Sequence, residues 1–292
     1  VLGGLLLVLT LFLAKDLPAY LKVIWEGLGN LKQIFKLERK NSFIVIISGL
    51  LALHIVFNLI GALAPEIIFD AIWYHLALPK IYLENHRVFF VSYVDYAAFP
   101  RIMEMLYTLG LALRSDILAK LLHFSLGILV ILGIYSLSRK FFSVEVSLLA
   151  SAIFYGMSNV NMLSATAYVD LALTFYEFLA VYALVNWFYG RNLRWLLLSG
   201  ALTGVALGIK HQAILLLGVL AICLILEFGL RRKSVFELTK NLAMFCAAAL
   251  IIAGPWYIDS YLRTGNPVYP LFNTLFGTGK SFEKAMFAST GK

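Results

Sequence analysis

The sequence predicts an all-α membrane protein, a polytopic bundle of helices joined mostly by short loops. Of its 292 residues, 61% are hydrophobic and only 14% are charged, and the mean hydropathy is +0.87. Soluble domains contain about 45–50% apolar and about 25% charged residues, so this composition excludes a water-soluble enzyme, a disordered chain and a disulfide scaffold. Since one span needs about 20 apolar residues, the chain has room for about seven to eight spans.

The elements follow one another in three expected parts. Residues 1–42 should hold the tail of a longer helix, residues 1–14, and a basic cytoplasmic loop. Residues 43–258 should form the membrane core, and residues 259–292 an outer loop cut before the rest of the protein. Within the core, apolar runs predict spans at 43–63, 117–137, 144–163, 168–188, 194–209, 213–230 and 241–258.

The charges predict an orientation for this bundle. Lys and Arg gather in the loop at 15–42 and in the loops after residues 137, 188 and 230. Most acidic residues fall in the alternate regions. Basic loops face the cytoplasm in membrane proteins, so the loop at 64–116 should lie outside. The same rule accounts for the net charge of +8, and we expect no nucleic-acid partner.

The outer loop at 64–116 is expected to contain amphipathic helices at the membrane surface. A helix from Pro65 would place Glu66, Asp70 and Tyr74 on one polar face, because polar residues recur every four positions. Pro79 should break or kink it. A second interface helix is predicted to start near residue 100.

Further polar residues are predicted at the outer ends of the spans. Asp170 could shape a site or make a polar contact that holds the bundle. Lys210 could snorkel to the headgroups or bind a phosphate, and both alternatives stay open. The sequence contains no P-loop, GxGxxG, HExxH or metal-spaced Cys/His motif. Acids and cations over a membrane bundle suit a phosphate-bearing lipid substrate.

Several motifs resemble the GT-C superfamily of membrane glycosyltransferases. They are Phe-Asp-Ala-Ile-Trp-Tyr-His-Leu-Ala-Leu-Pro-Lys at 69–80, Pro at 100 with Glu-Met at 104–105, Tyr-Val-Asp-Leu at 168–171, Gly-Ile-Lys-His at 208–211, Pro-Trp-Tyr at 255–257 and Thr-Gly-Asn-Pro-Val-Tyr-Pro at 264–270. The order and spacing are similar to bacterial and archaeal relatives of the dolichyl-phosphate-mannose protein mannosyltransferases and to the aminoarabinose lipid A transferases. The resemblance covers about residues 43–275.

This resemblance implies a GT-C-like fold and a glycosyltransferase of the cell membrane, with a role in cell-envelope, protein or lipid glycosylation. A sugar would pass from a polyprenyl-phosphate donor to a lipid, glycan or protein acceptor on the extracytoplasmic side. Asp70 matches the catalytic base. The implied substrate-binding residues are Tyr74, His75, Lys80, Arg101, Glu104, Asp170, Lys210 and His211. Many relatives carry a second acid after the base, where this chain has Ala71. Divalent metal dependence is left open.

Two other functions remain as alternatives. A multi-pass transporter or flippase would favour inverted repeats and broken helices near the middle of the membrane, and the sequence has no clear repeat. A polysaccharide polymerase for lipid-linked glycans is chemically close to the transferase.

Overall fold

The computed structural model describes residues 41–231 and 234–276, and in these ranges all regular structure is helical. Contacts divide the chain into two units, 1–50 and 51–292. The described part of the first unit is the beginning of one helix, and the candidate site lies in the second. The expectations for residues 1–40 and 277–292 fall outside the described residues.

Eleven α-helices are described. They are α1 Ser42–Leu63, α2 Ala77–Glu84, α3 Ile102–Leu113, α4 Asp116–Ser138, α5 Val144–Gly156, α6 Ser158–Ser164, α7 Asp170–Gly190, α8 Leu193–Ile209, α9 Ala213–Leu230, α10 Val235–Thr264 and α11 Asn273–Phe276. A π-helical turn, Ala71–His75, and a 3₁₀ turn, Asp95–Ala98, lie between α1 and α3. The all-α polytopic prediction is confirmed.

Five of these helices are long and apolar enough to cross a membrane, namely α1, α4, α7, α9 and α10. The pair α5 and α6 adds a sixth span if the two helices are taken together, but it is bent by 70° where a straight span was expected. The bend falls just after Gly156, a residue of low helix propensity. Helix α8 has 17 residues, or about 25 Å, slightly less than a bilayer core of about 30 Å. Seven to eight spans in the whole chain stays a prediction.

Successive long helices run in opposite directions, so the connecting loops gather at two ends of the bundle. At one end, which we call the site end, the Glu66 carboxylate accepts a hydrogen bond from the Ala167 amide at 2.7 Å. The buried Lys120 ammonium donates to the Ala64 carbonyl at 2.7 Å and so fixes the chain leaving α1. At the other end, which we call the far end, the last turns of α4, α7 and α9 come together, where Lys140 donates to Asn186 and Arg191 pairs with Glu227.

Helices α8 and α10 pack closely through small residues. A methyl group added at Gly200 or Gly204 would collide with the backbone carbonyl oxygens of Phe245 or Ala249. One added at Gly208 would collide with the Ile102 side chain. The glycines spaced four residues apart on one face of α8 therefore allow α10 to approach closely, and Gly208 allows the side chain of Ile102 on α3 to pack against the end of α8.

The prediction that a helix starts at Pro65 is wrong. The Glu66 carboxylate accepts hydrogen bonds from the amides of Ile67 and Ile68, at 2.9 and 3.0 Å, and holds this stretch in a non-helical turn. Such local side-chain bonds compete with helix formation. Helical structure starts only at residue 69. Glu66 therefore does not share a helix face with Asp70, and its carboxylate joins the turn to the α6–α7 loop instead.

The rest of this loop contains helical segments joined by turns, and it differs in detail from the prediction. The π-helical turn gives way to α2 at Leu76, and Pro79 lies in the first turn of α2, where a missing donor costs least. The apolar side chains of Phe69, Ile72 and Trp73 are exposed, as expected for a surface that meets lipid. Helix α3 starts at residue 102.

Candidate functional site

Asp70 lies at the site end, immediately before the π-helical turn. Its Oδ2 accepts a hydrogen bond from the Tyr168 hydroxyl at 3.3 Å. The Leu76 amide bonds to the Ala71 carbonyl at 2.9 Å, five residues back, which closes the π-helical turn. Single π turns occur frequently at functional sites. The Asp70 side chain is half-buried, so it is oriented by the protein yet within reach of a substrate.

Two tyrosines flank this carboxylate and remain neutral hydrogen-bond donors. The ring of Tyr74 stacks on Tyr96, with centroids 4.3 Å apart. Burial, followed by the charges of Asp70 and Glu104, raises the pKa of the Tyr74 phenol. Burial and the neighbouring Asp70 also raise the pKa of Tyr168. Both phenols therefore keep their protons at neutral pH.

His75 and Glu104 form a buried pair behind these tyrosines. The Nδ1 atom of His75 lies 2.7 Å from Oε1 of Glu104, and each residue is at most 4% exposed. Among the described residues, none donates a hydrogen bond to the second oxygen of Glu104, Oε2, which is also buried. The pair joins the π-helical turn to α3. Glu104 is therefore enclosed, and not presented on a free face of an interface helix.

Lys210 and Asp170 form an ion pair at the site end. The ammonium nitrogen lies 2.8 Å from Oδ1 of Asp170, and the two side chains are 33% and 30% exposed. Asp170 stands in the first turn of α7, where the helix dipole favours an acid. Lys210 caps the end of α8. The cation is thus held in place by its partner while it stays accessible to a third charged group.

Several of these residues line one cleft at the site end. Its lining includes Tyr74, His75, Tyr96, Phe99, Arg101, Glu104, Val169 and Lys210. Asp70 precedes Tyr74 by one helical turn, and Asp170 reaches the cleft through Lys210. The predicted residues Asp70, Tyr74, His75, Glu104, Asp170 and Lys210 are therefore brought together at the site end.

Arg101 lines the same cleft, but its terminal nitrogens are already engaged. They donate to the Asp259 carboxylate at 2.8 Å, to the Tyr82 hydroxyl at 3.3 Å and to the carbonyl of Ala97. The guanidinium also lies 5.5 Å from the ring centroid of Trp256. These contacts tie the loop at 64–116 to α10 at the cleft wall.

Two predicted residues have other surroundings. Lys80 is exposed on α2, and its nearest charged partner is Glu84 at 4.0 Å, outside the cleft lining. His211 is buried and donates from Nε2 to the Tyr269 carbonyl at 2.9 Å, and burial lowers its pKa. The neutral imidazole of His211 thus holds the loop after α10, which the buried Asn266 also organises.

Two aromatic residues and one acid at the site end are not among the residues predicted from the sequence. Tyr168 lies two residues before Asp170 in the Tyr-Val-Asp-Leu motif, in which only the acid is a predicted site residue. Tyr96 belongs to a segment without periodicity, so no pattern pointed to it. Asp259, the partner of Arg101, follows the Pro-Trp-Tyr motif at 255–257, and its charge on a long apolar helix was the available signal.

Within residues 41–231 and 234–276, no group of three or more His, Cys, Asp or Glu side chains is arranged to hold a metal ion.

The family model for dolichyl-phosphate-mannose-protein mannosyltransferase matches residues 100–258, more than half of the chain. The match includes Glu104, Asp170 and Lys210 and begins after Asp70. No curated protein and no solved structure matches the chain significantly.

Proposed function

Because the chain belongs to the dolichyl-phosphate-mannose-protein mannosyltransferase family of GT-C membrane glycosyltransferases, we propose that it transfers a sugar from a polyprenyl-phosphate donor. The acceptor is a hydroxyl group of a lipid, a glycan or a protein. The observation that supports the proposal is that Asp70, which accepts a hydrogen bond from Tyr168, and the Lys210–Asp170 ion pair lie at the same end of the bundle.

Asp70 is the proposed general base. An acceptor hydroxyl is a weak nucleophile and needs a carboxylate within hydrogen-bond reach to take its proton. As the proton moves to Asp70, the acceptor oxygen forms a bond to the anomeric carbon. The bond from that carbon to the phosphate oxygen breaks, and its electron pair leaves with the lipid phosphate. Attack from the face opposite the phosphate inverts the anomeric carbon, as in inverting glycosidases.

Lys210 is the proposed partner of the departing phosphate. A fixed cation stabilises charge that develops on a leaving group. Asp170 holds the ammonium at the cleft before the donor arrives, because their 2.8 Å contact orients a flexible side chain. The exposed third of the Lys210 side chain leaves room for a phosphate oxygen beside the Asp170 carboxylate.

The site end is proposed to face the extracytoplasmic side of the cell membrane. Five basic residues lie at the far end, at the tips of α4, α7, α8 and α9. They are Arg139, Lys140, Arg191, Arg194 and Arg231. In the sequence, 14 of the 24 Lys and Arg residues fall in the segment 15–42 and in the loops after residues 137, 188 and 230. Basic residues mark the cytoplasmic ends of spans, so the site end takes the opposite side.

Transfer by the purified full-length chain in liposomes tests this proposal. Radiolabelled polyprenyl-phosphate mannose, glucose, galactose and aminoarabinose are supplied in turn with a membrane extract as the source of acceptor. We expect label to move from one donor, to be lost in Asp70→Asn and to be kept in Glu84→Gln. Glu84 is a matched control because it is an exposed acid of the same loop. Absence of transfer from every donor would contradict the proposed function.

A further inference from the structure

The far end of the bundle contains two adjoining clefts that share Glu227 and Arg231. One is an apolar groove between the ends of α4, α7 and α9, lined mainly by Leu137, Phe141, Val185, Phe188, Leu226 and Leu230. The other is polar and includes Arg191, Glu237 and Lys240. The apolar groove thus ends directly at the polar cleft.

Among the described residues that line the polar cleft, basic side chains outnumber acidic ones by one. The carboxylate of Glu227 is paired with the guanidinium groups of both Arg191 and Arg231. Glu227 is largely buried, with a side chain only 12% exposed, whereas Arg231 is 57% exposed. Lys240 and Glu237 offset one another in the same lining. Two guanidinium groups held by one carboxylate therefore face the opening with a net positive charge.

Arg191 is held in a fixed position beside this opening. Its guanidinium carbon lies 4.7 Å from the ring centroid of Trp187, and its backbone takes the left-handed conformation with φ 51° at the end of α7. A planar guanidinium that is already oriented suits a phosphate, because it can donate two parallel hydrogen bonds.

An amphiphile with an anionic head matches this arrangement. The groove runs beside helices that are long and apolar enough to span the membrane, so its walls meet acyl chains, while the arginines lie at the helix ends, where headgroups lie. Basic pockets between membrane helices recognise anionic headgroups in this way. A free phosphate ion would use the arginines and leave the apolar groove without a role.

We propose that the two clefts form one binding site for an anionic phospholipid of the bilayer. Its phosphate lies against Arg191 and Arg231, and one acyl chain occupies the groove along Leu226. The site is separate from the proposed sugar-transfer site, at the opposite end of the helices, and does not depend on it.

Binding to the purified full chain in phosphatidylcholine nanodiscs tests the proposal. Phosphatidylglycerol is titrated in, the lipid bound is counted by native mass spectrometry, and the melting temperature is followed by tryptophan fluorescence. We expect phosphatidylglycerol to bind with a defined stoichiometry and to raise the melting temperature. Arg231→Gln should weaken its affinity about tenfold, since one charge-assisted contact is lost.

Two further variants separate the contributions of head and tail. Arg194→Gln is the matched control, because Arg194 is an exposed cation at the same end outside both cleft linings, and it should leave binding unchanged. Leu226→Trp should weaken binding by filling the groove without a change of charge. Equal effects of Arg231→Gln and Arg194→Gln would overturn the proposal, as would full displacement of the lipid by millimolar inorganic phosphate.

Discussion

The buried pair of His75 and Glu104 allows a stability prediction from geometry alone. In Glu104→Ala, the Nδ1 atom of His75 loses its acceptor at a position that is 3% exposed. Leaving a buried polar group without its partner costs about 1–3 kcal/mol. Glu104→Gln keeps a carbonyl oxygen of the same reach, so most of the contact to His75 survives and the loss should stay within about 1 kcal/mol.

The assay is thermal unfolding of the purified protein in nanodiscs, followed by tryptophan fluorescence. A loss of about 2 kcal/mol lowers the melting temperature by about 4–8 °C in a chain of this size. We expect this shift for Glu104→Ala and less than half of it for Glu104→Gln. Glu84→Ala, on an exposed acid, should melt like the native protein. Equal shifts for the Ala and Gln variants would refute the role of the hydrogen bond.

Three other predictions concern the phosphate contact, helix packing and orientation. Lys210→Ala should lower kcat/KM for the lipid donor roughly tenfold to more than a hundredfold with little change in melting temperature; unchanged kinetics would leave Lys210 only its pairing with Asp170. Gly204→Leu should cost about 1–3 kcal/mol on unfolding, because α8 and α10 are in backbone contact there, and an unchanged melting temperature would contradict that contact. In a cysteine-free background, an impermeant thiol reagent should label Tyr93→Cys but not Phe142→Cys in intact cells, and the reverse pattern would invert the proposed orientation.

Most of the fold follows from the sequence because lipid imposes a strong constraint. A spanning backbone must satisfy its own hydrogen bonds, so long apolar runs become helices, and the predicted starts of α4 and α9 agree with the structure within one residue. The ends of α10 extend beyond the predicted span at both sides, since polar residues can prolong a helix into water. Apolar length therefore predicts where a helix crosses, but not where it ends.

The loop at 64–116 could be predicted only in part. A four-residue spacing suggested that Glu66 lies on the helix of Asp70, but the carboxylate of Glu66 bonds its own neighbouring amides and prevents helix formation. The other oxygen of the same carboxylate accepts from the amide of Ala167, a residue distant in sequence, and the four-residue spacing cannot reveal that contact. Sequence motifs predicted that Asp70, Glu104 and Lys210 belong to one site. The contacts of Tyr168 and Tyr96, and the ion pair of Arg101 with Asp259, depend on tertiary packing and could not be predicted.

The proposed mechanism assigns Asp70 to proton transfer and not to donor binding. Single-turnover transfer and donor affinity, measured for the native protein and for Asp70→Asn in one lipid preparation, separate these two roles. Loss of a general base costs about 10²–10⁴-fold in rate. We predict that transfer by Asp70→Asn falls by that factor while its affinity for the polyprenyl-phosphate sugar stays the same. Near-normal transfer by Asp70→Asn, or a loss that arises entirely from weaker donor binding, would contradict the account.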